Sequence, residues 1–344
     1  MNGVTANRLH EQPNSRLTAA ANPWTLCVAP MMDWTDRHCR VFHRLLSPHA
    51  RLYTEMVTAA ALTHGDRRKL LAHDAFEQPL ALQLGGSDPN ELARAARIGE
   101  EAGYVEINLN VGCPSDRVQS GRFGACLMRE PQLVGACVEA MRAAVAVDVT
   151  VKCRIGVDQQ DDYADLQHFT ECMVAAGVRT LIVHARKAWL DGLSPKENRD
   201  IPPLNYARVH QLKQDFPQLC IVINGGITSA EQTEEHLRHV DGVMLGRAAY
   251  HDPFVLALVE QRLHGRDLPL RDAILSRMQP YIEAELARGT ALKHITRHLL
   301  GLYQGLPGAR AFRRHLSERA HRNDAGIEVL LDAISARSLP LAAA

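Results

Sequence analysis

The chain has 344 residues, 46% hydrophobic and 23% charged, which is enough for one barrel-sized domain with an appendage and excludes a disordered or low-complexity polypeptide. Thirty-nine Lys and Arg balance 39 Asp and Glu, so net charge alone points to no polyanionic partner. The eight cysteines form no CxxC pair and no Cys/His cluster, which argues against a structural metal, and no apolar run approaches the roughly 18 residues of a membrane span.

Residues 1–22 lack the apolar stretch of a secretory signal and read as a flexible tail. With free thiols spread through apolar runs, the composition suits a reducing, cytoplasmic setting. Eight short apolar runs follow, at 25–31, 51–56, 80–86, 105–112, 149–156, 180–186, 220–227 and 242–248. Their near-continuous hydrophobicity suits parallel strands covered by helices. The intervening segments carry helix punctuation. Asp88 caps a helix with Pro89 at its first position and Gly103 as its stop. Ser229 and Gln232 have capping-box spacing. Eight β-then-α units over roughly 230 residues predict an α/β fold of the (β/α)8 TIM-barrel type, assigned to 23–262.

From about residue 263 the strand signal ends, and 263–344 reads as an all-helical domain broken at Gly289, Gly301, Pro307 and Gly308. Residues 288–322 hold eight Arg and Lys against one acid, Glu318. Arg310, Arg313 and Arg314 share one helix face, and Lys293 and Arg297 repeat the i, i+4 spacing. Such a face suits a phosphate backbone.

Catalysis in a barrel is built at the carboxyl ends of its strands. There the sequence places Pro30, Met31 and Met32, then Glu55, Gln83, Asn108 and Asn110. Beyond these come Cys113, Lys152, Arg154, His184, Arg186, Asn224, Gly225, Gly226, Gly246 and Arg247. Any one could be a turn or a satisfied core residue. A complete ring of polar strand ends costs burial energy that a ligand would offset. The glycine-rich ends of the last two strands, with Arg247, suit a phosphate. Lys152 suits the anionic edge of a reduced flavin, and the Gln83 amide its carbonyl and N–H edge. The pattern describes FMN better than a sugar phosphate. Cys113, between Gly112 and Pro114, would be a general acid facing that ring.

The stretches VAPMMDWTDRHCR (28–40), EINLNVGCPSDRVQSGRFGACLM (106–128) and VHARKAWLDGLSPKENRDIPPLNY (183–206) carry a resemblance, as do LQLGG, VKCRIG, VINGGI and GVMLGRAAY. The chain resembles the tRNA-dihydrouridine synthases, within them the subfamily acting on D-loop uridines 20 and 20a. The resemblance implies FMN bound by Pro30, Met31, Met32, Gln83, Lys152, His184, Asn224, Gly225, Gly226, Gly246 and Arg247. It implies NADPH as reductant, hydride transfer from reduced FMN to uracil C6, and proton transfer from Cys113 to C5. It also implies tRNA contacts from Asn110, Lys196, Arg199, Arg310 and Arg313. A barrel with a tRNA grip works as a monomer, with no metal and no membrane. The rivals are an FMN barrel acting on a free pyrimidine and a non-catalytic RNA-binding barrel. The first leaves the basic appendage unexplained, and the second predicts decay of a ring that is complete.

Overall fold

The computed structural model describes residues 22–338 apart from 116, 117 and 120, so all but the last residue of the expected tail lies outside the described residues. Nine strand segments form one sheet: β1 (Leu26–Val28), β2 (Leu52–Tyr53), β3 (Val57–Thr58), β4 (Leu80–Gly85), β5 (Glu106–Val111), β6 (Asp148–Arg154), β7 (Thr180–His184), β8 (Cys220–Asn224) and β9 (Gly242–Leu245). Every ladder is parallel, in the order β1-β9-β8-β7-β6-β5-β4-β2, with β3 also on β4. One bridge, Cys27 to Arg51, closes the ring. There Val28 donates to the Arg51 carbonyl and Arg51 to that of Leu26, each at 2.9 Å. This is a (β/α)8 barrel.

The run expected at 51–56 is interrupted, and the reason is local. The Gln83 N–H is taken by the Thr54 hydroxyl oxygen at 3.1 Å rather than by a carbonyl of the neighbouring strand. The hydroxyl itself donates to the Glu55 carbonyl at 2.7 Å. A side chain thus stands in the ladder between β2 and β3.

Strand parity sorts the barrel into two cores. Trp24, Cys27, Ala29, Tyr53, Ala81, Ile182, Val222 and Met244 pack inside the ring. Leu82, Ile107, Val151 and Ile221 face outward into a larger core shared with the helices. The predicted punctuation is in place. Asp88 accepts from Glu91 N at 2.7 Å, and Gly103 is left-handed at φ +94°. Ser229 accepts from Gln232 N at 3.2 Å, but the Gln232 side chain returns to Thr228 N (2.8 Å), one residue earlier than in a standard capping box.

After the barrel helix Val255–His264 come helices Arg271–Ala287, Leu292–Thr296, Ala309–Arg319 and Glu328–Ser338. Their apolar residues, among them Ile282, Ile295, Leu299 and Phe312, belong to the same continuous core as the barrel helices. A polar clasp forms at the start of helix Arg37–Leu46. Asp36 caps that helix through His38 N and Cys39 N, both at 3.0 Å, and binds Arg297 (2.5 Å) and His298 Nε2 (3.0 Å). Burial would raise the Asp36 carboxyl. The hydrogen bonds from His298, Cys39 N and Arg297 outweigh it and hold the group well below the usual carboxylate range. Arg297, read from spacing as part of a basic face with Lys293, is therefore an internal tie. Lys293, Arg310 and Arg314 remain exposed.

Candidate active site

Three residues of β5 link the barrel interior to the loop that carries Cys113. Glu106, Asn108 and Asn110 alternate with Ile107, Leu109 and Val111, so the polar set faces inward and the apolar set packs against helices. Glu106 is fully buried and accepts four hydrogen bonds: Trp24 Nε1 (2.9 Å), Arg51 (2.9 Å), Tyr53 OH (2.8 Å) and Thr150 Oγ1 (2.5 Å). Thr150 accepts from Asn108 Nδ2 at 2.8 Å, and Asn108 Oδ1 accepts from Gln83 Nε2 at 2.8 Å. Gln83 Oε1 accepts from Asn110 Nδ2 at 2.9 Å, while Asn110 Oδ1 receives the N–H groups of Gly112 (3.1 Å) and Cys113 (2.9 Å). An unbroken chain of hydrogen bonds thus runs from the deep carboxylate to the backbone of Cys113. Amides suit this task because each both donates and accepts. Gln83 keeps one N–H and one lone pair for a ligand.

Cys113 is half-buried at the exit of β5. Its carbonyl accepts from Ala125 N at 2.8 Å, and its Sγ lies 3.5 Å from Ser115 Oγ. Arg154, almost fully buried, braces the same loop. Its Nε donates to the Gly112 carbonyl (2.9 Å), and its terminal N–H groups reach the carbonyls of Lys187 (3.1 Å) and Asn198 (3.0 Å) on the segment after β7. Asn198 is buried and folds that segment by accepting from Trp189 N (2.7 Å) and donating to the Trp189 and Leu193 carbonyls (2.8 and 3.1 Å). Lys196 and Arg199 are exposed on this segment. Arg154→Lys keeps the charge but not the fork that spans two loops. It is expected to slow single-turnover product formation on the order of 100-fold. A rate within threefold of the parent would contradict this bracing role.

The mouth is electropositive. Lys152, Arg154, Arg186, Arg199 and Arg247 converge there, and Asp200 pairs with Arg247 at 2.7 Å. Burial, with Arg154 beside it, brings the Lys152 ammonium down to about 8, and it has no hydrogen-bond or ion-pair partner among the described residues. Burial pushes the His184 imidazole well below its usual value, and the charges of Arg154, Lys152 and Arg186 push it further. It is neutral at physiological pH, and its buried Nδ1 has no partner among the described residues. A buried polar nitrogen without a partner is costly unless a ligand supplies one.

After β8, Gly225 and Gly226 hold φ of +116° and +70°. A Cβ at Gly225 would stand 3.2 Å from His184 Nε2, and one at Gly226 would stand 2.5 Å from Leu204 Cδ1. Both angle and space demand glycine. Asn224 donates to the Met244 carbonyl at 2.7 Å and so ties β8 to β9 just below Gly246 and Arg247. Pro30 and Met31 are half-buried after β1, and Met32 is 56% exposed at the rim. Two of the expected site residues stand apart. Arg310 and Arg313 lie on helix Ala309–Arg319, which packs mainly against helices Leu292–Thr296 and Glu328–Ser338; Arg313 donates to Gln304 Oε1 at 3.1 Å.

A family model described as dihydrouridine synthase (Dus) matches residues 27–338. The chain belongs to the dihydrouridine synthase family. Relatives named tRNA-dihydrouridine(20/20a) synthase are similar along nearly their whole length. That of Xanthomonas campestris pv. campestris is 62% identical over 312 residues, covering 91% of this chain and 93% of the relative. That of Shewanella oneidensis is 61% identical over 308 residues (89% and 92%), and that of Salmonella typhimurium 57% over 326 (94% and 98%). In this dihydrouridine synthase, sequence reading left out the Glu106 anchor and the bracing roles of Arg154 and Asn198. Strict alternation in EINLNV carries the signal for the first. Nothing local marks the other two, whose partners are carbonyls of distant loops.

Proposed function

We propose that this chain reduces the C5–C6 bond of uridines 20 and 20a in the tRNA D-loop, with FMN as cofactor and NADPH as reductant. Residues 23–262 carry the chemistry and 263–344 grip the tRNA, in a monomeric cytoplasmic enzyme. The observation that carries this reading is one ring of strand ends holding a desolvated Lys152 and a buried His184 Nδ1, both without partners among the described residues, and the braced Cys113 thiol. These groups fit a flavin. Lys152 and His184 would meet its polar ring edge, and Gln83 its carbonyl and N–H edge. Pro30, Met31 and Met32 would line the ring, while Asn224, Gly225, Gly226, Gly246 and Arg247 would hold the phosphate. When bound and reduced by NADPH, FMN supplies a hydride to C6 of the uracil ring.

This chain's residues do the rest. Arg310 and Arg313 attract the phosphate backbone, and Lys196, Arg199 and Asn110 guide a uridine drawn out of its stack toward the mouth. Loop nucleotides cost least to extract. Cys113 gives its proton to C5, and the thiolate left behind faces Lys152, Arg154 and Arg199 until solvent reprotonates it.

Lys152 sets a pH dependence. Its ammonium is charged below about 8 and neutral above it. FMN affinity, measured by quenching of flavin fluorescence, is expected to fall as pH rises through that value. Lys152→Met should bind FMN more weakly and with a flat profile. A parent profile that is equally flat would remove Lys152 from the flavin site. The reading as a whole is tested by giving the flavin-loaded protein and NADPH either tRNA lacking dihydrouridine or free uracil and uridine. Product from tRNA alone supports it, and product from the free pyrimidines overturns it.

A further inference from the structure

At the barrel end opposite Cys113, the segment Ser47–His49 runs toward β2 beside the last turns of helix Val255–His264. Glu260 and His264, four apart, share one face of that helix. The Glu260 side chain is only 2% exposed, whereas His49 and His264 are open to solvent. Ser47 Oγ and the His49 N–H (3.0 Å) both donate to Glu260 Oε1, which leaves Oε2 toward the imidazoles. His49 Nδ1 lies 2.8 Å from Oε2, and the His49 and His264 rings stand 4.3 Å apart between centroids. One ligand atom from each of the three side chains lies within 4.8 Å of the others.

Two imidazoles held ring to ring repel once both are protonated. As neutral rings beside a carboxylate they are a donor set for borderline divalent ions. The carboxylate is already locked by outer hydrogen bonds, the usual way a ligand oxygen is oriented toward a metal. We propose that His49, Glu260 and His264 bind a divalent transition-metal ion of the zinc type, completed by solvent, which staples the entry to β2 onto the last barrel helix. Ligands about 2.0–2.1 Å from zinc stand roughly 3.4 Å from one another in a tetrahedron, so the exposed His49 ring withdraws slightly from its 2.8 Å contact and the exposed His264 ring, within 4.8 Å of both partners, closes in. The ion takes the place of the proton between Nδ1 and Oε2, which leaves to solvent. The position, at the amino end of the strands, is one where a barrel carries stability rather than chemistry. The expectation of no metal rested on short-range ligand spacing, and His49 and Glu260 lie 211 residues apart.

The test is calorimetric titration of the full-length, chelator-treated, flavin-loaded protein with Zn2+, followed by thermal unfolding. One equivalent is expected to bind at micromolar or tighter affinity and to raise the unfolding temperature. His264→Ala and His49→Ala should each weaken binding at least tenfold and abolish the thermal shift, with tRNA reduction unchanged. Co2+ should give one equivalent of ligand-field absorption in the parent and none in the His49→Ala, His264→Ala double variant. Equal zinc affinity in that double variant would place the ion elsewhere, for instance on His210 and His236, whose ring nitrogens lie 3.3 Å apart, and overturn the proposal. So would the absence of a stoichiometric binding event in the parent.

Discussion

Cys113→Ala is expected to bind FMN and tRNA as the parent does and to form dihydrouridine at least ~100-fold more slowly, the usual scale for loss of a positioned general acid. The thiol sits on a loop held at its backbone by Asn110 and Ala125, with the guanidinium of Arg154 donating to the adjacent Gly112 carbonyl. It is half-buried and belongs to neither strand core as a buried member, so removing its sulfur leaves the fold intact. Single-turnover mass spectrometry of the tRNA separates this from a binding defect. A product rate within threefold of the parent at unchanged affinity would take the proton-donor role away from Cys113. Cys113→Ser, with a hydroxyl far less acidic than a thiol, should fall between parent and alanine or match alanine.

The second large effect falls on stability. Glu106→Ala should lower the unfolding free energy by about 3–5 kcal/mol, the scale for removing one partner of a buried ion pair. Arg51, 7% exposed at its side chain, would keep its charge without its carboxylate. Trp24, Tyr53 and Thr150 would lose their acceptor as well. Replacing Arg51 alone should cost less, because Tyr53, Trp24 and Thr150 still donate to the carboxylate. The measurement is denaturant unfolding followed by tryptophan fluorescence, and a loss below about 1 kcal/mol would contradict the account. Because the same network continues through Asn108 and Gln83 to Asn110, the folded fraction should also turn over more slowly than the parent.

The barrel was legible because strands buried on both faces must be apolar nearly throughout, as in LALQLG and TLIVH. The polar strand ends were legible because they break those runs at the same level of every unit. Tertiary commitments were not. Arg297 carries the same charge and spacing as a solvent-facing base, yet it binds Asp36 across 261 residues. Asn110 reads from the sequence only as a residue placed to meet RNA; that one N–H of its amide and its oxygen also join Gln83 to the backbone of Cys113 is a tertiary fact no local pattern encodes. The gap between β2 and β3 depends on one threonine hydroxyl entering the ladder, and propensity does not encode that choice.

The most direct measurement is mass mapping of dihydrouridine on tRNA from a strain lacking this protein, after incubation with the purified enzyme and NADPH. The account predicts new dihydrouridine at D-loop positions 20 and 20a, abolished by Cys113→Ala. Dihydrouridine at other positions only, or none from a flavin-loaded protein that oxidises NADPH, would contradict it.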